Sequence, residues 1–239
     1  MSAFGVTIDN MTVGSHKYVC RLLKGIYNER PATARYEDTW DVDLVLKYWK
    51  DMQVNANLSL KELTFKLIIL IAVITAARID TMSKLTLENM KRTQDSVILF
   101  LDKPLKQSKV GEKLQTLELK AFPSNRKISV VSVLEEYIQR TAPLRKSNKL
   151  FVSLNSPHRE VGKQSLARWI RSNLQNAGID VQKYGPYSTR GASVSKAKAK
   201  FVPVDEILNT GGWKRRCTFS TFYDLKILKA SSYAANVLS

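Results

Sequence analysis

The sequence predicts a mainly α-helical domain that carries one small antiparallel β-sheet, an α+β arrangement. Two observations predict it. Apolar residues recur at helical spacing through three long stretches, 59–77, 128–143 and 162–179. One region reads instead as a hairpin. SVILFLD (96–102) has the β-branched and aromatic content of a strand, and KLQTLEL (113–119) is its candidate partner. Pro104 and Gly111 punctuate the turn between them. A chain of 239 residues with 44% hydrophobic content is long enough to bury a sizeable core.

Residues 1–50 are weakly periodic and rich in loop-forming residues. SHKYVCRLLKGIYNERP interleaves Arg21, Lys24 and Arg30 with Tyr18, Leu22, Leu23 and Tyr27, a basic–aromatic mixture able to follow a nucleic-acid backbone. WDVDLVLKYW puts Val42, Val45, Leu46 and Trp49 on one helical face, read as core. The polar stretch DMQVNAN (51–57) is a linker candidate. Ser59 followed by Glu62 forms a capping box that opens LKELTFKLIILIAVITAA. That helix is apolar nearly all round, so it is expected to be buried at the centre. Arg78 follows directly, and a cation at the end of so apolar a helix needs a partner or a site. The stretch 128–143 forms an amphipathic helix stopped by Pro143, KLFVS (149–153) a short strand or extended piece, and 162–179 a helix ended by Gly178. STRGASVSKA (188–197) and VPVDEIL (202–208) read as two helices turning at Pro203.

Lys+Arg is 38 against 21 Asp+Glu, a net charge of +17. Such an excess is the electrostatic footprint of a nucleic-acid partner, because each neutralised phosphate releases condensed counterions. The two cysteines, Cys20 and Cys217, lie far apart, which excludes a disulfide framework or a zinc motif and fits a reducing interior. The first ten residues lack the pattern of a signal peptide. The longest apolar run, Leu67–Ala77, falls short of the ~20 residues that span a bilayer. No membrane partner, metal or small-molecule ligand is therefore expected.

The chemistry-bearing residues concentrate in GPYSTRGASVSKAKAKFVPVDEILNTGGWKRRCTFSTFYDLK (185–226), with Arg78 upstream. Two arginines, a tryptophan and a tyrosine suit the holding of one phosphodiester and an attack on it. This ordered set resembles the tyrosine recombinases of the phage-integrase superfamily. The phrases HKYVCRLLKGIYNERP, TWDVDLVLKYW and GGWKRRCTFSTFYDLKI resemble most the recombinases of DIRS-type retrotransposons. From Arg190 to Trp213 is 213 − 190 = 23 residues, the family's usual spacing. From Trp213 to Tyr223 is 223 − 213 = 10, one more than in most bacterial members.

The resemblance implies the tyrosine-recombinase catalytic fold over 57–226, a basic arm and shortened core-binding region over 1–56, and a tail over 227–239 that docks on a neighbouring subunit. It implies Tyr223 as nucleophile, Arg78 and Arg190 as phosphate clamps and Trp213 as an indole donor. QSKVG resembles the hairpin that carries the family's general-acid lysine. Lys109 is the first candidate there and Lys113 the alternate. Where the family has H-x-x-R, this chain has Tyr187-Ser188-Thr189-Arg190, so a phenol stands at the histidine position, and phenols shuttle protons poorly near pH 7. The acid expected three residues past Arg78 stands instead at Asp80. DNA-contact candidates are Arg21, Lys24, Lys106, Lys113, Lys163, Arg168, Arg171, Lys196 and Lys198. No cofactor is implied, since arginines and lysine supply the charge that a metal supplies elsewhere.

The function expected is strand cleavage and rejoining of double-stranded DNA through a 3′-phosphotyrosyl intermediate. Family members act as a tetrameric synapse, and the setting implied is retroelement integration in a nucleus, or a cytoplasm if the host is prokaryotic. The alternative is a relative that binds DNA and no longer cuts it, for which Tyr187, the displaced acid and the short arm speak. An RNA-binding protein would explain the charge but not the STR, GGW and FY order.

Overall fold

The computed structural model describes residues 5–31, 33–101, 116–213 and 216–228. Its contacts divide the chain into Met1–Arg35 and Tyr36–Ser239. The smaller unit pairs β1 (Thr7–Ile8) with β2 (Met11–Thr12) across Asp9-Asn10, both at positive φ, as a two-residue hairpin turn requires. Helix α1 (Lys17–Glu29) follows, with Arg21 and Lys24 exposed.

The larger unit is built around α3 (Leu60–Thr75). The Ser59–Glu62 capping box forms as its residues predict, with the Ser59 amide donating to Glu62 at 2.8 Å. Leu63, Leu67, Ile68, Ile69 and Ile71 are wholly buried. Each such side chain contributes roughly 1.5–3 kcal/mol relative to exposure. Helices α5 (Val130–Thr141), α6 (Lys163–Asn176) and α7 (Ser188–Ala199) pack on α3. The antiparallel sheet covers another side, in the order β4 (Met90–Arg92), β5 (Ser96–Phe100), β6 (Thr116–Lys120). Leu99 faces Leu117 and Val97 faces Leu119, so the buried alternation is shared across the pair.

Four features depart from the sequence reading. The contacts divide at 35/36 and not at 56/57, because α2 (Val42–Asp51) belongs to the main core. Trp49 donates to Asn173 Oδ1 at 3.1 Å, and the Asn173 amide donates on to Phe65 and Trp169 carbonyls, which ties α2, α3 and α6. A third strand, β4, joins the expected pair. KLFVS forms only isolated bridges, Thr86 to Lys149 and Val152 to Glu160. Last, β3 (Asp38–Trp40) pairs in parallel with β7 (Lys226–Leu228), 188 residues away in register. Helices α4 (Ile79–Met82), α8 (Val204–Gly211) and α9 (Arg216–Phe222) complete the unit. Pro203 caps α8 from outside it. The hairpin turn with Lys106, Lys109 and Lys113, and the tail beyond Leu228, lie outside the described residues. No helix among the described residues is long and apolar enough to cross a membrane.

Candidate active site

The apolar helix α3 ends at Ala76, which takes the left-handed conformation at φ 48°. This reverses the chain and turns the Ala76 carbonyl toward α7. Arg190 Nη1 donates to that carbonyl at 2.5 Å, and Nη2 donates to the Gly211 carbonyl at 2.6 Å. One guanidinium thus ties the ends of α3 and α8. Its face lies 3.6 Å from the Trp213 ring centre and 5.3 Å from that of Tyr223. Trp213 stands edge-on to Tyr223, at 4.7 Å between centroids, and to Phe219 at 5.7 Å.

Arg78 enters the same cleft from the N-cap of α4. The cleft measures about 440 Å³, and its lining includes Arg78, Lys84, Lys163, Tyr187, Arg190 and Tyr223. Arg78 makes no side-chain hydrogen bond or ion pair among the described residues. Burial first, and the like charge of Arg78 second, push the Arg190 guanidinium down to about 9. It stays cationic at neutral pH, so two positive groups face one pocket, whose lining holds a single acid among the described residues, Asp80. Asp80 is no remedy, because it pairs with Lys84 at 3.0 Å. Two buried donors also lack acceptors among the described residues: Arg190 Nε and Trp213 Nε1. An unsatisfied buried donor costs ~1–3 kcal/mol, and an anion that reached these groups would relieve that cost and the repulsion together.

Tyr223 follows α9 directly, and α7 grips its backbone. Ser195 Oγ donates to the Tyr223 carbonyl at 3.0 Å and accepts from the Leu225 amide at 3.1 Å. Tyr187 precedes α7 as its N-cap and is 55% exposed at the cleft mouth. The fold thus brings Arg78, Arg190, Tyr187, Trp213 and Tyr223 together, with Trp213 packed behind the lining. Lys109, Lys113 and Lys106 are outside the described residues.

The DNA-contact candidates separate into distinct groups. Lys163 lines the cleft, and Arg168 and Arg171 stand exposed on α6. Lys196 is instead half-buried and pairs with Asp43 and Asp41, and Lys198 pairs with Asp224. These two lysines face acids from other elements, which their own stretch does not reveal. Sequence reasoning also missed Ala76, Ser195, Gly211 and Lys84. An alanine that must adopt positive φ leaves no trace in composition. The Gly-Gly before Trp213 was the only legible signal. No cluster of His, Cys, Asp or Glu able to hold a metal occurs among the described residues.

No protein-family model matches the sequence, and no curated protein matches it. Solved structures do. The XerH site-specific recombinase bound to difH substrate, in a pre-cleavage complex, superposes with a TM-score of 0.60 at 15% identity, over 96% of this chain and 66% of that one. The XerA recombinase gives 0.60 at 16%, over 94% and 74%. The Tn1549 transposon integrase in complex with transposon right end DNA gives 0.55 at 9%, over 89% and 68%. The fold is that of the tyrosine-recombinase catalytic domain. At such identities the likeness is one of fold. In the XerH post-cleavage complex this chain spans only 53% of the recombinase's length.

Proposed function

We propose that this chain is a site-specific DNA recombinase that uses Tyr223 as its nucleophile. The observation that carries the reading is the cleft itself. Arg78 and Arg190 converge on it, the one acid among its described lining residues, Asp80, is paired with Lys84, and the Tyr223 ring centre lies 5.3 Å from the Arg190 guanidinium. A scissile phosphate between the arginines accepts from planar guanidinium donors, which stabilise the extra charge of a phosphorane-like transition state. The Tyr223 oxygen bonds to phosphorus as its proton leaves to water, and the bond from phosphorus to the 5′-oxygen breaks. The departing oxygen takes a proton from Lys109 or Lys113. The 3′-phosphotyrosyl link conserves the ester for rejoining to a second 5′-hydroxyl, without a metal or other cofactor.

The partner in this reading is double-stranded DNA, bound by several copies of the chain, four in a full synapse. Integration of a retrotransposon-type element in a nucleus is the setting that the DIRS-like phrases support. A second reading, binding without cleavage, is favoured by one observation: the histidine position holds Tyr187, more than half exposed.

Covalent trapping separates the two. Protein is incubated in EDTA with a library of nicked suicide duplexes and run on a denaturing gel. A protein–DNA band that disappears in Tyr223→Phe is expected. A salt-sensitive gel shift without such a band would select the binding-only reading.

A further inference from the structure

Strand β3 is three residues long, yet it reaches both halves of the cleft. Its backbone pairs with β7 in the register Asp38 to Lys226, Thr39 to Ile227 and Trp40 to Leu228. β7 begins three residues after Tyr223, so this ladder anchors the chain that leaves the tyrosine. The side chains of β3 hold the other half. Trp40 is buried, and its Nε1 donates to Ser188 Oγ at 2.9 Å. That hydroxyl donates in turn to the Gly185 carbonyl at 2.7 Å, so its rotor is fixed from both sides. Ser188 opens α7, two residues before Arg190. Asp38 accepts from Lys183 Nζ at 2.8 Å and from the Tyr184 hydroxyl. Those hydrogen bonds, Lys183 first, hold its carboxyl below the usual range, so it is ionised at neutral pH. Just before the strand, the Tyr36 hydroxyl accepts from the Gly185 amide at 3.2 Å.

We propose that β3 is a brace that positions Tyr223 against Arg190, with Trp40 and Asp38 as its positioning residues. The proposal rests on the recombinase reading above. A two-stranded ribbon this short contributes little to stability by itself. Its ties instead converge on the residues just before Arg190 and just after Tyr223. Placement of a nucleophile is sensitive to such ties, because a shift of ~1 Å costs on the order of a hundredfold in rate. The brace acts only through geometry, so it belongs to the cleavage step and not to DNA affinity.

The test uses Trp40→Phe, which keeps an aromatic ring but loses the indole N–H and some buried volume, together with Ser188→Ala, the double variant and Asp38→Asn. Single-turnover formation of the covalent complex and affinity for the same duplex are measured side by side. Amide exchange is followed at 185–190 and 226–228 without DNA. Cleavage is expected to slow roughly 10- to 100-fold with affinity within about twofold. The double variant should be no slower than the slower single, since the Trp40–Ser188 hydrogen bond is lost in all three and Ser188→Ala alone also loses the bond to the Gly185 carbonyl. Exchange should quicken in both segments together. Unchanged cleavage overturns the proposal, as does a loss of cleavage that only follows a loss of affinity. If the unaltered chain forms no covalent complex, the recombinase reading fails, and exchange alone then decides the brace. Joint quickening of the two segments supports it, and quickening of neither or of one alone removes it.

Discussion

Gly211 and Gly212 stand side by side before Trp213 and serve different physical needs. Gly212 sits at φ 68°, the left-handed conformation that ends α8. Gly211 is helical, but a Cβ there would lie 1.8 Å from Trp213 Cζ3 and 2.3 Å from Cε3. Gly211→Ala therefore evicts the indole from its seat. The ring would give up its stacking on Arg190, about 1–2 kcal/mol for a desolvated cation–π contact. It would also give up two aromatic pairs, about 0.5–1.5 kcal/mol each. Partial relaxation leaves a net loss of about 2–4 kcal/mol, or a melting temperature lower by roughly 5–15 °C for a domain of this size. Because the Gly211 carbonyl also accepts from Arg190, covalent-complex formation should be lost as well. Gly212→Ala costs only the backbone strain, about 1 kcal/mol, and Gly212→Asn less. Thermal melts followed by near-UV dichroism and tryptophan emission should rank Gly211→Ala well below Gly212→Ala, and Gly212→Asn highest of the three. If Gly211→Ala melted within 2 °C of the unaltered chain with the same emission, the packing argument would be refuted.

Lys66 is wholly buried in α3, donates to Asn55 Oδ1 at 2.9 Å and is pushed down to about 8, by desolvation first and then by Lys127. A base whose folded value lies below its ordinary 10.5 destabilises the fold fully below pH 8, and the penalty fades as pH rises toward 10.5. Lys66→Met should therefore stabilise the fold at pH 7 by on the order of 2–3 kcal/mol, seen as a higher melting temperature, and the gain should shrink between pH 8 and 10.5. A lower melting temperature at pH 7 would contradict this. Tyr223 is seated in its own chain's cleft by Ser195, Trp213 and β7, so a mixture of Tyr223→Phe and Arg190→Ala proteins should form no covalent complex. A restored band would mean that the tyrosine crosses between copies. Lys196 and Lys198 are spent on internal acids, so neutralising either should leave the salt dependence of duplex binding unchanged. Neutralising Arg168 or Arg171 should each reduce the slope by about 0.9, measured by titration across salt concentrations.

The local sequence was enough for what depends on neighbours in the chain. Apolar periodicity marks α3, α5 and α6, the Ser59–Glu62 box marks where α3 begins, and β-branched content marks β5 and its partner. The order of Arg78 and the STR, GGW and FY phrases marked residues that meet around one cleft. What tertiary structure decided is everything set by partners distant in sequence. Trp40 meets Ser188 across 148 residues, and the carbonyl that orients Arg190 comes from an alanine 114 residues earlier. Lys196 and Lys198 read as free cations until Asp43 and Asp224 are brought beside them. Periodicity reports which face of an element is buried and is silent on what buries it, so the brace, the left-handed Ala76 and the two roles of the glycine pair emerge only when the chain is folded.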